Sequence, residues 1–194
     1  MQKIWLEHGS FRPDFDGWQH IAKATKFRKG NKMNKTEFRD VINAPKEKTW
    51  DVLFNQYGEI HIHNPTMVTS NYMHGGSKGE LNSVRHCKFS EKLFLDEKIT
   101  EVNGNDSFKI VVVDHNLPFV NEMAAVYELS AIDDEKTELK MTSLNSFSPG
   151  FMKYLMRGQM AKSLLKHLFG MKYYLETGKI VDKDNYSEIF KAYN

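Results

Sequence analysis

The sequence predicts an α+β domain in which a curved antiparallel sheet wraps around one long C-terminal helix. Three observations predict this fold class. The length of 194 residues suits one domain with a substantial core. Residues 152–175 carry an apolar stripe at helical spacing, and the segments before them alternate and are joined by short, turn-forming links. Consecutive strands with short links form antiparallel sheets, one face of which can pack on a helix.

The first elements are a strand and two short helices. Residues 36–44 alternate well enough to predict a strand, and Pro45 then begins a helix that ends at Gly58. A second short helical turn over residues 59–63 ends before Asn64-Pro65, because the residue before proline avoids the helical region.

Five further strands are predicted before the long helix, and a sixth is possible. The strongest turn signal is Asn103-Gly104, an Asn-Gly pair between apolar runs, which predicts a hairpin. The candidate strands are residues 66–72, 80–89, 92–102, 108–113, 123–131 and 138–147.

The long helix is predicted to begin with Ser148 as N-cap and Pro149 at its first position. Gly178 provides its C-terminal stop. Its apolar stripe requires a large partner surface and consists of Met152, Met156, Met160, Leu164, Leu168, Met171 and Leu175.

These elements divide the chain into three parts. Residues 1–34 form a basic, aromatic N-terminal extension with seven Lys/Arg against three Asp/Glu, whereas the remainder holds 20 against 22. Residues 35–178 form the main domain, and residues 179–194 form a tail with weak helical character over residues 186–193. Either the domain begins near Met33, or the aromatic extension packs against the domain. The basic run of the extension is interpreted as a solvated linker, with a membrane-surface or nucleic-acid contact as the alternative.

Composition excludes several classes of protein. No apolar run approaches the roughly 20 residues of a transmembrane segment, and the first 20 residues lack the apolar core of a secretory signal. The single cysteine, Cys87, excludes an internal disulfide and a cysteine-based zinc site, so we expect a cytoplasmic protein. The main domain has no excess of basic residues, and we therefore expect no nucleic acid partner for it. Nucleophile-elbow, dinucleotide-binding and phosphate-loop motifs are absent.

The order and spacing of several local motifs resemble the START-like helix-grip superfamily (SRPBCC). This superfamily contains polyketide cyclases and aromatases, plant pathogenesis-related allergens and lipid-transfer domains. The matching motifs are VINAP (residues 41–45), KTWDVL (48–53), Gly79 followed by Arg85, DEKI (96–99) and LFGMKYYLE (168–176). The resemblance covers about residues 35–178, and it implies a helix-grip fold with a ligand cavity between the sheet and the C-terminal helix. It does not identify a ligand or a reaction, because this fold hosts many functions.

Arg85 and Glu97 are candidates for a polar anchor inside that cavity. With a period of two, Glu97 shares one face with Leu95 and Ile99, which we expect to point inward. Arg85 lies on the preceding predicted strand, so the two side chains could form a charge-satisfied pair. The alternative is a purely structural ion pair, or two residues that face solvent.

The segment His61-Ile62-His63 differs from the family pattern, because many bacterial members have an aromatic residue there. Two histidines two residues apart can share a metal in an extended chain, but in a helix they diverge by about 200°. We therefore predict no metal and no cofactor. The pair could line the cavity, supply a general base, or lie at the surface.

The other candidate ligand contacts come from the sheet and the long helix. Methionines there would form an adaptable apolar wall, and the alternative is ordinary core packing, with bulky residues such as Phe108 filling the cavity. These candidates are Tyr72, Tyr127, Met141, Asn145, Met156 and Met160.

The leading functional hypothesis is binding of a small hydrophobic or amphipathic molecule between the sheet and the long helix. One alternative is an enzyme that resembles the polyketide cyclase or dehydratase members and uses a cavity His or Glu as acid or base. Another alternative is a membrane- or partner-binding module that uses the N-terminal extension. The pattern leaves the oligomeric state open.

Overall fold

The computed structural model describes residues 33–193. Within them the predicted fold class is confirmed: a seven-stranded antiparallel sheet, short helices after the first strand and one long C-terminal helix. The extension predicted for residues 1–34 lies outside the described residues except for its last two positions, and it stays a prediction.

All six predicted later segments form strands, so the sheet has seven strands within residues 33–193. Neighbouring strands pair in the order β1-β7-β6-β5-β4-β3-β2, which makes β1 and β2 the two edges. The strands are β1 (Asn34–Ile42), β2 (Thr69–Tyr72), β3 (Val84–Lys88), β4 (Phe94–Asn103), β5 (Ser107–His115), β6 (Val120–Asp133) and β7 (Lys136–Phe147).

The predicted Asn103-Gly104 hairpin joins β4 to β5. Asn103 pairs with Ser107, and the Asp106 amide donates to the Asn103 carbonyl at 3.0 Å. Gly104 has φ of +51°, a conformation that glycine adopts at little cost. Register shifts in β4 and β6 interrupt the regular pairing, and such irregularities bend strands.

The segment between β1 and β2 is helical but irregular. Helix α1 (Lys46–Trp50) begins after Pro45 and continues into a π-helical turn (Asp51–Asn55), which is followed by a 3-10 segment (Tyr57–Ile62). The β2–β3 loop closes on this segment, because the Gly79 amide donates to the Asn55 carbonyl. A Cβ at Gly79 would lie only 1.6 Å from the Phe54 carbonyl oxygen, so only glycine fits there.

The long helix α2 (Met152–Thr177) ends as predicted but begins later than predicted. Gly178 is left-handed, with φ of +73°, and its amide donates to the Tyr174 carbonyl at 2.7 Å. The prediction that Ser148 caps the helix is wrong, because the Ser148 amide donates to the Phe119 carbonyl at 2.9 Å and stays with the sheet. Neither α2 nor any other helix within residues 33–193 is long and apolar enough to cross a membrane.

The two halves of α2 pack differently against the sheet. Its buried residues lie mainly in the second half, and Met152 is the buried residue of the first half. The second half packs so closely that a Cβ at Gly170 would lie 2.4 Å from the His63 carbonyl oxygen. The buried residues of this half are His167, Leu168, Gly170, Met171 and Leu175.

A short third helix, α3 (Tyr186–Tyr193), covers the outer side of the second half of α2. Phe169 is the centre of the contact, and its ring lies 4.9 Å from that of Phe190, centroid to centroid. The Glu176 carboxylate joins three elements: it accepts hydrogen bonds from Asn43, after β1, and from the Tyr193 hydroxyl.

Candidate functional site

The predicted Arg85–Glu97 pair is present in the buried interior of the domain. The residues are directly opposite each other on β3 and β4, and Arg85 Nε donates to Glu97 Oε2 at 2.7 Å. Arg85 Nη1 also donates to the Tyr57 carbonyl at 2.8 Å, and the guanidinium carbon lies 3.9 Å from the Tyr57 ring centroid. Both charged side chains are buried. Burial alone would lower the pKa of Arg85, but the Glu97 carboxylate together with Tyr57, Cys87 and Tyr127 raises it overall, so the guanidinium stays charged.

A cluster of neutral polar rings lies beside this ion pair. The His63 ring, at the end of the 3-10 segment, lies 5.8 Å from the His167 ring of α2 and 5.9 Å from the Tyr174 ring. His167 Nε2 is 3.4 Å from the Tyr127 hydroxyl of β6. Tyr127 in turn stacks on Phe108 of β5, with 4.9 Å between ring centroids. Three elements thus bring two imidazoles and a phenol together in the core.

Burial determines the protonation of these rings. It lowers the pKa of His167 to about 3, with the Arg85 charge as the second cause. It also lowers the pKa of His63 well below its usual value, assisted by His167 and Arg85. The pKa values of Tyr57 and Tyr127 are raised, again mainly by burial. All four rings are therefore neutral near pH 7.

A cavity of about 10 Å³ lies between the ion pair and these rings, with room for about one water molecule. Bulky rings occupy the rest of this interior: Phe108 makes edge contacts with Trp50 and Phe54 in addition to its stack on Tyr127. The cavity is lined by Val52, Leu53, Gln56, Ile60, His63, Arg85, Phe108 and Tyr127.

Three buried hydrogen-bonding atoms of this region have no partner among residues 33–193: Tyr57 Oη, His63 Nδ1 and His167 Nδ1. Buried polar groups are nearly always hydrogen-bonded, and an unpaired one costs about 1–3 kcal/mol. Several unpaired atoms in one region are unusual, and they provide donors and acceptors for a polar group placed there.

The candidate residues from the sequence fall into three places. His63, Arg85 and Tyr127 line the cavity, and Glu97 is hydrogen-bonded to Arg85 without lining the cavity itself. Met141 and Asn145 are buried on β7. The remaining candidates lie further out: Met156 and Met160 are half-buried in the first half of α2, His61 is half-buried, and the Tyr72 hydroxyl donates outward to the Asn55 carbonyl.

Sequence reasoning missed His167 and Tyr57. His167 lies within the apolar stripe of α2, four residues before Met171. A histidine at such a position indicates a polar ring in the core, and this signal could have identified His167. Tyr57 lies at the end of the first predicted helix, just before Gly58, and its contact with Arg85 depends on how that segment packs. Within residues 33–193, no three His, Cys, Asp or Glu side chains are arranged to hold a metal ion.

Neither protein-family models nor curated protein sequences match this chain. Solved structures do match. A protein from Nitrosospira multiformis, a structural genomics target, superposes with a TM-score of 0.59 at 11% identity, over 75% of this chain and 98% of its own. Ginseng major latex-like protein 151 from Panax ginseng gives 0.58 at 14% identity, over 74% and 97%. Ara h 8.0201 gives 0.60 at 10% identity, over 74% and 98%.

At such low identities these likenesses concern the fold and not the activity. They agree with the element order described above, in which a curved antiparallel sheet packs against one long C-terminal helix. The chain therefore has the helix-grip fold of the START-like superfamily that its sequence motifs resemble.

Proposed function

We propose that this protein binds a small hydrophobic or amphipathic molecule between the sheet and α2. The observation that supports this most is a set of polar atoms in a mostly apolar interior that find no partner in the described part of the chain: Tyr57 Oη, His63 Nδ1 and His167 Nδ1. A ligand with one hydroxyl or carbonyl group would satisfy some of them, while its apolar part would be buried at roughly 25 cal/mol per Å². The fold it shares with the START-like superfamily supports the same class of function.

Binding requires the first half of α2 to move outward. The cavity of about 10 Å³ is far too small for an organic ligand. The second half of α2 is held by Leu168, Met171 and Leu175, all buried, whereas Met156 and Met160 are only half-buried. Methionine side chains adapt to irregular shapes, and weakly packed segments open at low cost. The ligand would then lie between these methionines and the concave side of the sheet.

The chemistry of the cluster favours binding over proton transfer. An efficient general base has a pKa near the working pH, but His167 has a pKa of about 3 and is a weak base. The Glu97 carboxylate already accepts a 2.7 Å hydrogen bond from Arg85, so it is not free to take a proton from a substrate. A cyclase- or dehydratase-like reaction would need a base that this arrangement does not supply.

Native mass spectrometry of freshly purified full-length protein tests this proposal. We expect a stoichiometric small molecule that is released on denaturation with its covalent structure unchanged. If repeated preparations carry no ligand, and no member of a lipid and aromatic-compound panel raises the melting temperature, the proposal is wrong. Conversion of the compound by the protein would favour the enzyme instead.

Two matched variants test where the ligand binds. Tyr57→Phe removes one of the unpaired polar atoms that the ligand would satisfy, and it should weaken binding about tenfold, the usual effect of one buried hydrogen bond. Tyr72→Phe removes a hydroxyl that donates to the Asn55 carbonyl outside the cavity, and it should leave affinity unchanged. Equal losses in both variants would refute the location.

A further inference from the structure

One side of α2 carries a second apolar stripe, on the face opposite its buried residues. Helical spacing places Phe151, just before the helix, on the same side as Leu155, Phe169 and Tyr173. Helix α3 covers Phe169 and Tyr173 through aromatic contacts. Among residues 33–193 nothing covers the beginning of the stripe in this way, since Phe151, Tyr154 and Leu155 are 61%, 75% and 68% exposed.

The β5–β6 loop adds another exposed ring at this end of the molecule. The Phe119 carbonyl accepts a hydrogen bond from the Ser148 amide, which places Phe119 beside the beginning of α2. Phe119 is 48% exposed and has φ of +64°, an unfavourable conformation for a bulky residue. We call Phe119, Phe151, Tyr154 and Leu155 the apolar tip. Single exposed apolar residues are common, but four at one end of a molecule indicate an interaction surface.

The apolar tip adjoins a stretch of the chain that carries only basic charges, although Glu122 of β6 lies three residues after Phe119. Residues 139–175 contain no Asp or Glu, although residues 35–194 as a whole hold 22 acidic and 20 basic side chains. The Lys153 ammonium lies 4.8 Å from the Tyr154 ring centroid, so its apolar stem follows the ring and its charge lies at the edge of the tip. Of the basic residues in this stretch, Lys140 and Lys172 pair with Glu128 and Asp40. The cations of the first half of α2, nearest the tip, are Lys153, Arg157 and Lys162.

We infer that the apolar tip docks on the surface of an anionic phospholipid bilayer. Exposed aromatic and leucine side chains would enter the headgroup region, and the surrounding lysines and arginine would meet the lipid phosphates. A second copy of this chain fits less well, because a twofold contact would bring the same cations face to face. The surface lies outside the interior cavity, so the inference does not depend on the proposed ligand.

Vesicle co-sedimentation of the full-length protein tests the inference. We expect binding to phosphatidylcholine vesicles that contain about one third phosphatidylserine, weak binding to phosphatidylcholine alone, and loss of binding at high salt. Leu155→Glu should lower the partition coefficient at least about tenfold. Ile132→Glu is the matched control, since Ile132 is 54% exposed near the end of β6, and it should bind like the unaltered protein.

A site-specific fluorophore gives a second measurement. Cys87, the single cysteine, is buried, and burial raises the pKa of its thiol to about 12, so a thiol-reactive dye will label an added surface cysteine selectively. A polarity-sensitive dye on Leu155→Cys should shift to the blue with anionic vesicles, and on Ile132→Cys it should not shift.

Three results would overturn the inference. The first is absence of binding to anionic vesicles. The second is vesicle binding that Leu155→Glu does not weaken, which would assign membrane contact to another part of the chain. The third is self-association that Leu155→Glu abolishes, without vesicle binding, which would make the apolar tip a contact between copies.

Discussion

Replacing Gly170 by alanine should destabilise the protein strongly, because α2 meets the 3-10 segment at this residue. A Cβ would lie 2.4 Å from the His63 carbonyl oxygen and 2.9 Å from Pro65 Cδ, whereas ordinary contact begins at 3.4 Å. A backbone carbonyl and a proline ring cannot rotate away, so one segment must shift by about 1 Å. Overpacking typically costs 1–3 kcal/mol, and with forced backbone movement we expect Gly170→Ala to lower the free energy of unfolding by about 3 kcal/mol.

Gly158→Ala is the matched control within α2. A Cβ at Gly158 meets no heavy atom within 4 Å, so the substitution should raise the free energy of unfolding by up to about 1 kcal/mol through helix propensity. Urea denaturation followed by far-UV circular dichroism would measure both variants, and we expect them to differ by about 4 kcal/mol. If Gly170→Ala is as stable as Gly158→Ala, the close contact between α2 and His63 does not exist.

Three further predictions concern the polar interior. Glu97→Gln should lower the free energy of unfolding by about 3–5 kcal/mol in urea, because it leaves the buried Arg85 charge unpaired, and replacing both residues by leucine should cost less; a larger loss in the double variant would contradict this. Lowering the pH from 7 to 5 should cost about 2 kcal/mol through His167, since its folded pKa of about 3 lies below the unfolded value of about 6.5 and the unfolded chain binds more protons between them. His167→Gln should reduce this loss in thermal melts, and an unchanged pH dependence would show that His167 is not buried as a neutral ring. Tyr57→Phe removes an unpaired buried hydroxyl and should raise the free energy of unfolding by about 1 kcal/mol, whereas a lower melting temperature would mean that this hydroxyl has a partner.

Much of the fold could be predicted because its signals are local. Alternation, turn residues and the stripe of α2 identified every strand of the sheet and the long helix, and Gly178 marked its end correctly. The beginning of α2 was wrong for a non-local reason. Ser148-Pro149 is a good helix start in isolation, but the Ser148 amide bonds to Phe119, which is 29 residues earlier in the chain.

The candidate site was predictable only where strand geometry decides it. A period of two and adjacent strands placed Arg85 opposite Glu97 correctly. The contact of His63 with His167 depends on how α2 is rotated and shifted against the 3-10 segment, and no local pattern encodes that placement. The size of the cavity could not be predicted either. The sequence identifies Phe108 as a bulky residue, but it does not show that this ring fills the centre of the interior.

Because α3 contacts the end of α2, truncation of the chain before α3 would remove part of the packing of this domain. The family resemblance stops at about Gly178, yet Val181 is fully buried, and the rings of α3 cover Phe169 and Tyr173. The Glu176 carboxylate also accepts hydrogen bonds from the Tyr193 hydroxyl and from Asn43. A protein that ends at Gly178 would expose the rings of Phe169 and Tyr173, and it would lose the hydrogen bond between Tyr193 and Glu176. We therefore expect the cooperative folding unit to extend about fifteen residues beyond the part of the chain that resembles the START-like superfamily.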